Sequence, residues 1–255
     1  MHSWTPAVHE LIRHLKDAGF PYSKDIGFPY PPRVRGIDEE RREALTCLDG
    51  ESGPQGWAKV VDDAGLVSLA RFLRGYHDAV AGFRLHEGLS RCTGESGPGG
   101  GEVSCHGDFG PWSIVWQRQD PLGIPDWDCA RPADRLHDVA ALEFVAPFRD
   151  DAECLRRLRY PEPPDRRHRL ELFADAYGLT SADGLAGVVI DVQQTATEQV
   201  RGLAGRNLQR KSAGQRLPRR PRPTSRLEPS QPPSFRPSFR VSGSICWRSL
   251  KKAHL

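Results

Sequence analysis

Apolar positions recur at helical spacing near the start of the chain. Val8, Leu11, Ile12 and Leu15 fall on one face. Thr5 followed by Pro6 predicts the helix start, with the hydroxyl as N-cap, and Gly19 its end. After a Pro-rich connector from Phe20 to Pro32, the segments Arg33–Ile37 and Glu43–Leu48 read as short strands around a polar turn, Asp38–Arg42. Asp49–Gly56 reads as a loop. Leu66, Leu69, Leu73, Tyr76 and Val80 mark an amphipathic helix of about five turns. Its end carries His77 and Asp78, read as a surface or capping pair rather than a metal site. Arg84–Gly101 reads as a loop. Its Gly97-Pro-Gly-Gly-Gly run lacks phosphate-cradle spacing, and no helix follows it. Beyond residue 135, Leu136–Phe148, Arg166–Tyr177 and Ala182–Leu203 read as helices. Thr180 and Asp183 form a weak capping box for the last of these.

Between the two helical regions the pattern changes. Val103 to Val139 alternates short apolar runs with polar interruptions: Val-Ser-Cys-His-Gly-Asp-Phe-Gly-Pro-Trp-Ser-Ile-Val-Trp, then Gly-Ile-Pro-Asp-Trp-Asp-Cys-Ala, then Arg-Leu-His-Asp-Val. His106, Asp108, Ser113, Asp126 and Asp128 interrupt runs apolar enough to be buried strands. His-Gly-Asp at a strand end presents Asp108 on a tight turn, and Gly123–Trp127 reads as a second strand bearing Asp126. A hairpin brings the two carboxylates to one edge. One can orient an attacking hydroxyl while the other holds Mg²⁺ through hard oxygen contacts. That layout suits phosphoryl transfer, which needs positioning and charge neutralisation more than covalent chemistry. Trp112, Trp116 and Trp127 read as core rather than as a substrate platform, and His137 as helix surface.

Composition divides the chain. From Arg206 to Leu255 there are 13 Lys or Arg and one acid, Glu228; the first 205 residues carry a net charge of −9. The tail also holds seven prolines and the doublet Pro-Ser-Phe-Arg-Pro-Ser-Phe-Arg, which predict a disordered basic arm. A solvated tail is favoured over a nucleic-acid arm, because stacking aromatics are few. No run of about 18 apolar residues is present and no secretory leader is read, so no membrane partner and a cytoplasmic location are expected. The six cysteines, at 47, 92, 105, 129, 154 and 246, form no Cys-x-x-Cys pair and read as reduced, semi-buried thiols.

The run from His106 to Trp116, with Ile124-Pro-Asp126-Trp-Asp128, resembles the aminoglycoside phosphotransferase family, whose pattern is His-Gly-Asp-x-x-x-x-Asn followed by Ile-Asp-Trp or similar. The likeness extends over roughly residues 4 to 200. It implies an α+β, protein-kinase-like fold with a mostly helical C-terminal lobe, a catalytic β-hairpin and a truncated N-terminal lobe. The implied layout is a lobe remnant over 1–48, a hinge over 49–56, a helical catalytic lobe over 57–205 and the tail over 206–255.

The same resemblance implies ATP and Mg²⁺ as cofactors and a small-molecule hydroxyl acceptor. An acidic body suits a cationic acceptor. By position, Asp108 matches the catalytic base and His106 supports its turn. Asp126 matches the Mg²⁺-binding aspartate, and Asp138 would brace the catalytic loop. Cys47 and Leu48 open the segment Cys47–Gly53, where adenine would meet backbone groups. Ser113 stands where the family has a metal-binding asparagine; a strand-start role and a metal-ligand role both remain open. Asp128 reads as a cap or as support for the site. Relative to the pattern, a Gly-rich hairpin and strand lysine are missing: neither Lys16 nor Lys24 lies on a strand. Two further readings stand beside phosphotransfer. One is a non-catalytic kinase-like binding protein. The other is a metal-dependent phosphohydrolase, which requires His77–Asp78 and His137–Asp138 to converge on His106 and Asp108.

Overall fold

The computed structural model describes residues 3–20, 31–40, 42–92, 102–140, 150–194 and 197. The expected basic tail over 206–255 and the connector residues 21–30 lie outside them, as do 93–101 and 141–149. The described residues up to Val192 belong to one compact unit, which holds the whole candidate site.

Helix α1 spans Thr5–Asp17. Its N-cap is Trp4, not Thr5: the Trp4 carbonyl accepts from Ala7 and Val8, and no side chain caps the helix. Leu11, Ile12 and Leu15 enter the core as the spacing predicts. Strands β1 (Val34–Ile37) and β2 (Glu43–Leu45) pair antiparallel. Asp38 closes their turn by accepting from the Arg42 backbone N–H at 2.7 Å and from its Nε at 2.6 Å. The expected second strand is shorter than Glu43–Leu48, although Thr46 N–H still donates to Arg33 O at 3.0 Å.

A short helix, α2 (Gly56–Lys59), leads to α3 (Asp63–Ala79). Asp62 caps α3 by accepting from Gly65 N–H at 2.7 Å. The buried face of α3 carries Leu66, Leu69, Leu73 and Tyr76. Strands β3 (Val103–Cys105), β4 (Val115–Gln117), β5 (Asp120–Gly123) and β6 (Arg131–Ala133) follow, and then a short helix, α4 (Leu136–Val139). The rest of the helix expected from Leu136 to Phe148 falls largely on residues that are not described.

Helices α5 (Ala152–Leu158) and α6 (Arg166–Tyr177) complete the named elements. Asp165 caps α6, and Gly178 ends it with a φ of 89°. The helix expected from Ala182 begins at 185, because Asp183 N–H is turned onto the Ser181 hydroxyl at 2.9 Å. The fold is therefore α+β, a largely helical body around small two-stranded sheets. One core joins α1, α3, the strand region and α6 through Leu69, Tyr76, Ile114, Trp116, Trp127 and Phe173. Trp116 and Trp127 are core as expected. Trp112 is half-buried instead, stacked on Trp57 with ring centroids 4.8 Å apart.

Candidate active site

The strand registers place the two central carboxylates on neighbouring arms of the chain. β4 pairs with β5, Val115 opposite Gly123, and β3 pairs with β6, Cys105 opposite Arg131. The two ladders are nested, so residues 106–114 and 124–130 form the two arms that connect them. Asp108 lies on the first arm and Asp126 on the second. This corrects one expectation: Asp126 does not end a strand. β5 stops at Gly123, and Pro125, with no N–H, cannot continue a ladder.

One imidazole joins the arms. His106 is fully buried. Its Nε2 bonds the Pro125 carbonyl at 3.1 Å, and its Nδ1 faces the Asp108 backbone N–H at 3.4 Å. A carbonyl only accepts, so Nε2 carries the hydrogen and Nδ1 accepts. The backbone before Asp126 and the backbone of Asp108 thus share one ring. Gly107 adds a second close approach. Its φ is 80°, and a Cβ there would lie 2.2 Å from the Cys129 carbonyl on the opposite arm. Both the turn and the spacing of the arms require glycine.

Asp108 is half-buried and Asp126 exposed. Asp126 has a φ of 67° and a ψ of 64°, left-handed backbone that non-glycine residues seldom adopt and Asp tolerates better than most. Such outliers concentrate at functional sites. Beside it, Asp128 accepts from the Trp4 indole N–H at 3.2 Å, tying the second arm to the start of α1.

Asp138 braces the first arm from α4, as expected. It is almost wholly buried. Its Oδ2 accepts from His106 N–H at 2.6 Å, and its Oδ1 from Gly107 N–H at 2.9 Å. Burial pushes its carboxyl up, but the His77 hydrogen bond, the His77 and His106 rings and the Gly107 N–H outweigh this and hold it below the ordinary carboxylate value.

Ser113 closes the end of the first arm. Its Oγ accepts from Gly110 N–H at 3.0 Å and donates to Gly110 O at 2.9 Å. The segment 49–56, expected as a hinge, docks on β4, just past that arm. Glu51 and Trp116 exchange two backbone hydrogen bonds, at 2.8 and 2.7 Å. Upstream of them, Cys47 is exposed, its thiol directed at Leu48 O at 3.5 Å, and Leu48 is half-buried.

The two His-Asp pairs do not converge as the phosphohydrolase reading requires. Asp78 turns outward to Arg74 and Arg135, and His137 contacts Arg131. His77, expected on the surface, is fully buried and bonds Asp138 at 3.1 Å. The donor atoms of His77, Cys105 and Asp138 all lie within 4.8 Å of one another, near enough to hold a metal ion. Each is already engaged. Both His77 nitrogens have partners, Asp138 serves the turn, and the Cys105 thiol points at Asp134 O at 3.2 Å. Burial raises that thiol far above its usual range, so it stays protonated. The five described cysteines are free; Cys47 and Cys92 are exposed rather than semi-buried, and Cys246 lies outside the described residues.

Residues 84–172, which contain both arms and their brace, match the model of the phosphotransferase enzyme family. The trifolitoxin immunity protein of Rhizobium leguminosarum bv. trifolii is 30% identical over 186 residues, or 69% of this chain. The chain spans 65% of the length of that relative. Among solved structures, the GDP and kanamycin complex of APH(2")-IIia aligns over 72% of each chain at 18% identity, with a TM-score of 0.40. The amicoumacin kinase hAmiN, in complex with AMP-PNP, Ca²⁺ and Ami, aligns over 76% of this chain and 70% of its own at 12% identity, also with a TM-score of 0.40. Among the described residues, no helix is long and apolar enough to cross a membrane.

Proposed function

We propose that this protein is a small-molecule phosphotransferase of kinase-like design, using a nucleoside triphosphate with Mg²⁺. The observation that carries the reading is the His106 ring bonded to the backbones of both carboxylate-bearing arms. Asp108, half-buried on a braced turn, accepts or orients the proton of the acceptor hydroxyl. Asp126, exposed on left-handed backbone, offers the hard oxygen that Mg²⁺ prefers. A bound Mg²⁺ would neutralise charge on the nucleotide phosphates. His106 aligns the arms without touching substrate. The segment from Cys47 and Leu48 to Gly53 receives the base through backbone groups, and its docking on Trp116 holds it beside the first arm.

Ser113 supports a second reading, a kinase-like protein that binds nucleotide without turnover. Its hydroxyl serves Gly110 N–H and C=O together, leaving little for a metal. The acceptor belongs to the hydroxyl-bearing small molecules, and the acidic body favours a cationic one. Similarity to a trifolitoxin immunity protein adds that toxin to the acceptors worth testing.

The deciding experiment is phosphoryl transfer from γ-labelled ATP or GTP, with Mg²⁺, to a panel of aminoglycosides, amino alcohols, sugars and trifolitoxin. Labelled acceptor is expected from the parent and not from Asp108→Asn, which still binds nucleotide. Nucleotide binding without labelled product favours the binding-protein reading. Absence of both refutes the proposal.

A further inference from the structure

The proposed mechanism leaves several fully buried titratable side chains unused, among them a histidine. His77 lies on the core face of α3, far in sequence from the site, and none of its ring is exposed. Its Nε2 meets Asp138 Oδ2 at 3.1 Å, and its Nδ1 meets the Tyr177 hydroxyl at 2.7 Å. Asp138 in turn holds the N–H groups of His106 and Gly107, the two residues before Asp108. A side chain on α6 is thereby linked through α3 and α4 to the turn that carries the proposed base.

We propose that His77 is a positioning residue for Asp108, acting through Asp138 and held in register by Tyr177. The proposal rests on the reading of Asp108 as the group that orients the acceptor hydroxyl.

The chemistry of the chain is directional. Asp138, an ionised carboxylate, only accepts, so His77 Nε2 carries the hydrogen that points at it. In the neutral ring Nδ1 then accepts from the Tyr177 O–H, which fixes the tautomer and blocks a ring flip. Tyr177 is fixed in turn, with Arg74 donating to its carbonyl at 3.2 Å and lying 5.8 Å from its ring centroid. A carboxylate turns readily about its last torsion. One backbone amide on each oxygen of Asp138 restrains that rotation, and the third donor, from a different helix, restrains it further at Oδ2. Without His77, Asp138 gains freedom and its grip on the Gly107 N–H weakens. A displacement of the turn by about 1 Å is enough to cost on the order of 100-fold in rate.

The test compares the parent with His77→Leu, His77→Gln and Tyr177→Phe by amide hydrogen exchange and by steady-state phosphoryl transfer. In His77→Leu, the amides of His106 and Gly107 exchange faster, while that of Trp116, bonded to Glu51 O, is unchanged. The same variant loses roughly 10- to 100-fold in kcat with nucleotide KM unaltered. His77→Gln recovers most of both effects, because its side-chain amide supplies a hydrogen toward Asp138. Tyr177→Phe gives the same pattern at smaller size. If His77→Leu does not fold, His77→Gln and Tyr177→Phe decide the matter through the same amides. Equal acceleration at Trp116, or unchanged exchange at 106 and 107 with unchanged kcat, makes His77 an ordinary core residue and overturns the proposal. If the parent transfers no phosphoryl group, the functional reading fails, and the exchange result alone shows whether His77 holds the turn.

Discussion

The two arms that carry Asp108 and Asp126 are held by different physics. The first arm is held by charge. A buried carboxylate grips two successive backbone amides at its start, and a hydroxyl locks Gly110 near its end. The second arm is held by shape. Ile124 and Trp127 are buried on either side of Asp126, and an exposed residue between them is left in a left-handed conformation. The first arrangement fixes direction, as a proton acceptor requires. The second fixes position while leaving a carboxylate in water, as suits a group that shares a hydrated cation. His106 is the point where the two systems meet.

Breaking the charged arm should have the largest effect. Asp138→Ala leaves two amides and the His77 ring buried without their acceptor, at a cost of about 4 kcal/mol. Urea denaturation would show it, and turnover should be lost beyond what the residual folded fraction explains. Breaking the packed arm comes next. Trp127→Ala removes one of the largest fully buried side chains, and about 3 kcal/mol is expected from the same denaturation series. His106 and Gly107 should keep their slow amide exchange in that variant, which separates the two arms.

Asp126→Gly sharpens the contrast with an effect of opposite sign on stability. It relieves the left-handed backbone, so the midpoint of thermal unfolding should hold or rise, by the equivalent of about 1 kcal/mol at most. Mg²⁺-dependent nucleotide binding should disappear in the same protein. The smallest effect is a pH dependence confined to the charged arm. The folded-state pKa of Asp138 lies below the ordinary carboxylate value. Its contribution is therefore fully present above about pH 4 and is lost as pH falls through the lower folded value. Thermal unfolding of the parent should decline more steeply below pH 4 than that of Asp138→Asn.

Local periodicity made α1, α3 and α6 legible, since each buries a face at helical spacing and ends on a recognisable cap or glycine. The turn at Asp108 was legible because its residues are close in sequence. The support behind it was not. His77 is 61 positions from Asp138 and 100 from Tyr177, so no spacing rule connects them. A histidine beside an aspartate at a helix end reads as a surface pair, yet helical geometry turns His77 inward and Asp78 outward to Arg74 and Arg135. The backbone of Asp126 was also hidden, because an apolar run ending in Pro-Asp gives no sign of where pairing stops. Ser113 was singled out by its position in the motif, but its hydrogen bonds to Gly110 appear only once the turn is built.

The central claim is that both arms border one cation and one nucleotide, and paramagnetic broadening measures this directly. Mn²⁺ added with nucleotide should broaden the amide resonances of residues 106–110 and 124–128 together in the parent. Neither set should broaden in Asp126→Asn. Broadening of one arm alone, or of both arms undiminished in Asp126→Asn, would contradict the account.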